Sequence, residues 1–301
     1  MKITVLVDNY TLIDEYYFGE PGWSLYIEDG DSKILFDTGY SDIFMANAEK
    51  MGIDLGQIDT IVFSHGHNDH TRGFRYFVDE YGDTDEAGCP GGLLKNIKVV
   101  AHPGCFEKKV ELGYSFGNPF VKEDFGAPYS LQTMSELCQL QATKEPVRIS
   151  ENITYLGEIP VAFDFEERKA MDLHQGDCNY DPDMDLATQA TTWTEDKCYD
   201  DSALAYTTDN GIFIITGCSH SGICNIIEHA KKVCGDDRIL GVMGGFHLFE
   251  VDDRLRSTMD YFKRNNIEKL LPAHCVSFHA KAAINQMKKI SEVGVGFTLE
   301  I

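Results

Sequence analysis

The sequence predicts an α/β fold in which two sheets pack face to face with helices outside. Three observations carry this. Strand-like runs rich in Val, Ile, Leu and aromatic residues recur between turn residues. A run of strands gives way to alternating strands and helices, and that order occurs twice. No repeat of short fixed period is present, so the two halves read as burying their apolar faces against each other.

The first half opens with "KITVLVDN" (2–9), "WSLYIEDG" (23–30) and "KILFDTG" (33–39), three strands parted by turns. "SDIFMANAEKMG" (41–52) fits a helix, with Ser41 as its cap and Ile43, Phe44 and Ala48 on one face. "IDTIVF" (58–63) reads as a strand, "TRGFRYFVDEYG" (71–82) as the start of a helix, and "IKVVAHPG" (97–104) as a strand ending in a turn. The second half begins with the hairpin "SALAYTT" and "GIFIITG" (202–208, 211–217), turned by "DNG". Then come a helix (221–234), a strand (238–245), a helix (252–265), a strand (269–274), a helix (277–290) and the strand "VGFTLEI".

Between the halves, from about 105 to 200, periodicity is weak and an acidic tract intervenes. A structureless loop of that length is improbable in a compact domain. The chain therefore reads as one domain over 1–301 with a divergent insertion at about 105–200, containing a helix (130–140) and a strand (152–157). This insertion is the candidate for a lid, and Phe116, Phe120, Phe125 and Tyr129 are candidate lining residues for a ring-bearing substrate, with core packing the ordinary explanation of any one of them.

Composition narrows the classes of partner. The 301 residues are 43% hydrophobic and 25% charged, which suits a globular chain. A net charge of −23 repels phosphate backbones and anionic bilayers, so neither nucleic acid nor membrane is expected as a partner. "MKITVLVDNY" lacks the features of a signal peptide, and no apolar run is long enough to span a bilayer. Nine cysteines without a C-x-x-C pair suggest free thiols in a reducing cytoplasm. The expected partner is a small-molecule substrate, and the chain is compatible with a homo-oligomer.

The chemistry concentrates in "SHGHNDH" (64–70), on a strand-to-helix loop. His65 and His67 are two apart, so extended chain projects both to one side. Asp69 and His70 lie on the next turn and can face a second point nearby. Imidazoles and carboxylates ligate first-row divalent metals, and four ligands split between two points describe half of a two-metal site.

With "ILFDTG" (34–39) ahead of it, this H-x-H-x-D-H loop resembles the metallo-β-lactamase superfamily. "TGCSHSGICNII" (216–227), "GGFHL" (244–248) and "PAHC" (272–275) resemble the branch of 7,8-dihydropterin-6-methyl-4-(β-D-ribofuranosyl)aminobenzene-5′-phosphate synthase-like proteins. The resemblance implies a four-layer αβ/βα sandwich and two divalent ions, zinc first, with iron or manganese as alternatives. It assigns His65 and His67 to one metal, Asp69 and His70 to the other, and His274 to completing the second. Asp37 matches a carboxylate that orients the loop, against the plain alternative of a turn aspartate.

Two positions depart from the pattern. The region "DKCYDD" before the hairpin holds no histidine where the resemblance expects a ligand, and Cys218 stands where a bridging aspartate is expected. His220, two residues beyond Cys218, is expected to replace the missing ligand. Cys218 is a thiolate ligand or a buried structural thiol. His247 follows two glycines and reads as a substrate-side proton or hydrogen-bond donor, or as a simple turn histidine. Arg72 is expected in a surface ion pair, His102 does not match a ligand position, and His174, His229 and His279 read as surface residues.

The reading that follows is a cytoplasmic two-metal hydrolase or transferase, with Asp69 and His247 as its catalytic candidates. The branch implies a phosphate- or phosphoribosyl-containing, pterin-related small molecule as substrate. A flavodiiron-like redox protein is the alternative, disfavoured because such sites carry a glutamate where His67 stands and continue into a flavin domain. A non-catalytic metal-binding protein is the third reading.

Overall fold

A computed structural model describes residues 1–82, 92–115, 118–168, 170, 172–175 and 194–301, with backbone alone for the strand residues of 112–123 and 172–175. The first large sheet has seven strands in the order Thr298–Glu300, Lys2–Val7, Ser24–Asp29, Ser32–Phe36, Thr60–Val62, Lys98–Ala101, Gln139–Ala142. Its first four strands are antiparallel and the rest run parallel. The second has six, in the order Lys269–Pro272, Ile239–Gly244, Gly211–Thr216, Ala203–Thr208, Ile153–Tyr155, Val147–Arg148. Here too a parallel part joins an antiparallel part. The twofold order read from the sequence is thus a twofold order of sheets.

Alternation along the strands builds the layers. Phe36, Val62, Val100, Phe213, Ile215, Met243 and Leu271 meet in one buried cluster between the sheets. Their neighbours Leu35, Ile61, Val99 and Ala101 turn outward to Phe44, Phe74 and Phe77 of the helices Ile43–Met51 and Phe74–Tyr81. On the other side Ile212, Ile214, Val242 and Leu270 pack against the helices Ile223–Cys234, Asp253–Arg264 and Phe278–Met287. The result is helix, sheet, sheet, helix: the four-layer αβ/βα sandwich. Strands buried on both faces need near-continuous apolar sequence, as "TIV" and "IIT" supply.

Two local expectations change. Asp42 occupies the cap position of the first helix without a side-chain cap bond, while Ser41 Oγ, one residue earlier, accepts from the Ile43 N–H at 3.3 Å and donates to Glu20 Oε2 at 2.6 Å. The 105–200 stretch is divided rather than forming one insertion. Leu131–Leu137 packs on the outer face of the first sheet, Gln139–Ala142 is that sheet's edge, and Val147–Arg148 and Ile153–Tyr155 belong to the second. Lys108–Ser115, Asn118–Asp124, Asp172–Gln175 and Thr194–Asp196 form a separate antiparallel sheet of four strands. No described helix is long and apolar enough to cross a membrane.

Candidate metal centre

The site lies where the parallel strands of both sheets end, the usual place for a ligand in an open α/β sheet. Strand Thr60–Val62 leads into His65, His67, Asp69 and His70, strand Gly211–Thr216 into Cys218 and His220, Ile239–Gly244 into His247, and Lys269–Pro272 into His274. The chain must pass very close to itself here. A Cβ on Gly66 would collide with the Cys105 carbonyl oxygen, and one on Gly244 with that of Thr216.

Two groups of side chains result. The rings of His65, His67 and His220 lie 4.6–4.8 Å apart pairwise. Beside them, His70 Nε2 sits 3.2 Å from both His274 Nε2 and Cys218 Sγ, with Asp69 Oδ2 3.4 Å from His274 Nε2. Cys218 also lies within ligand distance of His65 and His220, so its sulfur stands between the groups. All six histidine and aspartate positions expected as ligands therefore converge, and Cys218 faces them.

Asp37 sits behind the loop. Its Oδ1 accepts from the Ser64 backbone N–H, and its Oδ2 from Ser64 Oγ and His70 Nδ1, each at 2.7 Å. That arrangement fixes the ring of His70 with Nε2 toward the cluster. His274 is steadied likewise, by Asn9 Oδ1 at Nδ1 (2.9 Å) and by Asp8 Oδ1 at its backbone N–H. Five of the seven described non-glycine residues with positive φ are Asp37, Cys198, Ser219, His247 and His274. Strained backbone thus gathers around this one point.

Electrostatics follow from burial and crowding. Burial, then the neighbouring imidazoles, hold His65 and His220 well below the ordinary histidine range. Burial also pulls on His70, but Asp69 and Asp37 outweigh it and raise this imidazole. For Asp69 burial pushes upward, and His70 and His274 bring the carboxyl below its usual range. Burial and the nearby Arg254 lower His247 to about 4. His65 Nε2 and His220 Nε2 are buried with no hydrogen-bond partner. An orphaned ring nitrogen in the interior costs roughly 1–3 kcal/mol unless something pairs with it. A cation satisfies such atoms directly, and this donor set of imidazoles, carboxylate and thiols suits a first-row divalent metal.

The remaining candidates lie as follows. The His247 ring lies 4.5 Å from that of His220, tilted 50° to it, on the wall of a cavity of about 700 Å³, which Asp69, His274, Tyr40 and Phe125 also line. Tyr129 instead packs edge-on to Phe74 in the core, and Phe116 and the Phe120 side chain fall outside the described residues. Among the described residues, Arg72 donates to Tyr40 Oη at 2.7 Å rather than to a carboxylate. His102 caps a turn and meets Glu158 at 3.2 Å, away from the cluster. His229 bonds the Leu156 carbonyl, and the His174 side chain is outside the described residues. Sequence reasoning missed Cys198, whose Sγ lies 3.6 Å from His67 Nε2. It also missed Asp200, which accepts from the Gly66 N–H at 2.7 Å and pairs with buried Lys109 at 3.2 Å. The only signal was a cysteine in "DKCYDD", at the place where a histidine was sought.

Comparison with known proteins agrees with this fold. The family model for the metallo-beta-lactamase superfamily matches residues 17–87. An uncharacterised protein of Methanocaldococcus jannaschii, MJ0448, is 30% identical over 295 residues, covering 98% of each chain. The fold and the clustered loop define a class, and the chain belongs to the metallo-β-lactamase superfamily. Within it, the chain is similar to the 7,8-dihydropterin-6-methyl-4-(beta-D-ribofuranosyl)-aminobenzene-5'-phosphate synthase of the same archaeon: 28% identical over 294 residues, 93% of this chain and 89% of that one. The crystal structure of Tm1679, described as a metal-dependent hydrolase of the beta-lactamase superfamily, superposes with a TM-score of 0.74 at 26% identity, covering 100% and 99% of the two chains.

Proposed function

We propose that the protein is a metal-dependent enzyme that hydrolyses or transfers a group on a phosphate- or phosphoribosyl-containing small molecule with a pterin-like ring. The observation that carries this is the pair of adjacent ligand groups, one with two orphaned imidazole nitrogens, opening on a cavity of about 700 Å³. Similarity to the dihydropterin synthase supports the substrate class. His65, His67 and His220 would hold one divalent ion, and Asp69, His70 and His274 the other, with zinc first in line. Such ions supply Lewis acidity toward a phosphoryl oxygen and acidify water. Asp37 holds His70 in register, Asp69 presents its carboxylate at the cavity floor, and Phe125 offers an apolar wall to a ring. His247 is assigned to hydrogen-bond the phosphate or the leaving oxygen.

Metal analysis and turnover test this together. Protein grown with ample metal and purified without chelator should hold about two divalent ions per chain. It should turn over some member of a panel of phosphoesters and phosphoribosyl compounds, lose that activity to chelator and regain it with zinc. Metal content near zero would sink the reading. His247→Ala should keep the metal and lower kcat about a hundredfold. If it loses metal and activity in proportion, His247 is a ligand instead.

A further inference from the structure

We propose that Cys198, as a thiolate, is a ligand of the first metal together with His67 and His220, and that it gives this position a preference for thiophilic ions. The inference rests on the metal reading above and deepens it.

Geometry is the first support. The Cys198 Sγ and a ring nitrogen from each of His67 and His220 lie within 4.8 Å of one another. The Cys198 Sγ to His67 Nε2 distance is 3.6 Å. Tetrahedral zinc, with Zn–S of about 2.3 Å and Zn–N of about 2.0–2.1 Å, sets sulfur and nitrogen roughly 3.5 Å apart. The orphaned Nε2 of His220 belongs to this same trio.

The surroundings of the thiol are the second. Cys105, Cys138 and Cys224 sit inside the hydrophobic clusters, as buried cysteines usually do. Cys198 is equally buried but belongs to none of them. Its setting is polar, and its backbone is clamped. Asp196 Oδ1 accepts the Cys198 N–H at 2.7 Å, Arg168 and the Asp201 N–H bond its carbonyl, and φ is +48°. Asp196 is in turn held by Lys109 at 2.5 Å. Packing alone requires no such clamp and no cysteine held in the left-handed backbone region, which L residues adopt only under constraint. A fixed thiol facing two imidazoles is what a soft cation needs, the thiol proton leaving to solvent as the ion binds. Thiolate favours zinc or cobalt over manganese or magnesium, so the first position should discriminate among them.

Cobalt(II) reads this out without an assay of activity. The full-length chain, stripped of metal and kept reduced, is titrated with cobalt(II) and followed by its sulfur-to-cobalt charge-transfer absorption in the near ultraviolet. The parent protein should show the band. Cys198→Ser should reduce it and weaken one of the bound ions about tenfold or more, while Cys234→Ser should change nothing. Cys218→Ser should retain a band, because Cys198 is intact in it, and this arm holds even if Cys198→Ser folds poorly. Manganese should displace first-site cobalt more readily from Cys198→Ser than from the parent. Cobalt binding without any sulfur band, a parent-like band in Cys198→Ser, or no band in Cys218→Ser would each overturn the proposal. Failure of the parent to bind cobalt at all would instead overturn the metal reading beneath it.

Discussion

The two halves of the centre are built differently. Around Asp69, His70 and His274, the rear nitrogen of each imidazole is engaged: Asp37 Oδ2 lies 2.7 Å from His70 Nδ1, and Asn9 Oδ1 lies 2.9 Å from His274 Nδ1. Around His65, His67 and His220, the Nε2 atoms of His65 and His220 have no partner; Ser64 Oγ meets His65 Nδ1 at 2.9 Å, and further support comes from a distant source. Asp200 grips the Gly66 N–H, and the Lys109 ammonium from the small sheet ties Asp200 and Asp196 together. One half is set by its own strand ends, whereas the other leans also on an added sheet. Preorganised hydrogen bonds make a ligand cheap to bind, and orphaned atoms make its absence costly.

The comparison breaks most decisively at Lys109. It is 2% exposed between two carboxylates, and Lys109→Met would strand both charges in the interior. A buried ion pair broken on one side costs about 3–5 kcal/mol, which chemical denaturation should register as a lower midpoint. If stability is unchanged, the small sheet is not the support of the first half.

His220→Ala comes next. It should lose metal as fully as His65→Ala, while His102→Ala, which alters only a turn and the Glu158 contact, should keep it. Metal analysis of the three variants decides this, and full metal retention in His220→Ala would remove His220 from the first half.

Asp37→Asn sharpens the contrast. It disturbs the carboxylate that contacts His70 directly and His65 only through Ser64 Oγ, so the second ion should weaken roughly 10–100-fold and the first by less. Stepwise zinc titration would separate the two. Equal weakening of both would mean that the halves act as one unit. The smallest expected effect is at Phe125, 6.4 Å from the His67 ring. Phe125→Ala should raise KM by a few fold, equivalent to about 0.5–1 kcal/mol, with kcat and metal content at the parent level.

Much of this was legible in the chain because it is local. The i, i+2 spacing of His65 and His67 on extended backbone fixes their common side, and Asp37 in "FDTG" sits one strand away. Short-range apolar runs likewise marked nearly every strand of the large sheets. The third sheet was not legible, because its strands come from 108–124 and 172–196 and alternate with segments that enter the other two. The contact of Arg72 with Tyr40 was not legible for a related reason: a helix position does not reveal which neighbour a tertiary contact will bring.

By itself, then, the sequence determined the elements, the twofold order of strands and helices, and the motif loop, since each depends on residues within a few positions of one another. Only the tertiary structure decided how the centre closes. His70 and His274 are 204 residues apart and His67 and Cys198 are 131 apart, and they meet because two sheets with different partners pack through one core. No local propensity encodes that meeting. It is fixed by the register in which buried strand faces pair, and a thiol such as Cys198 acquires its chemical setting only when that pairing is complete.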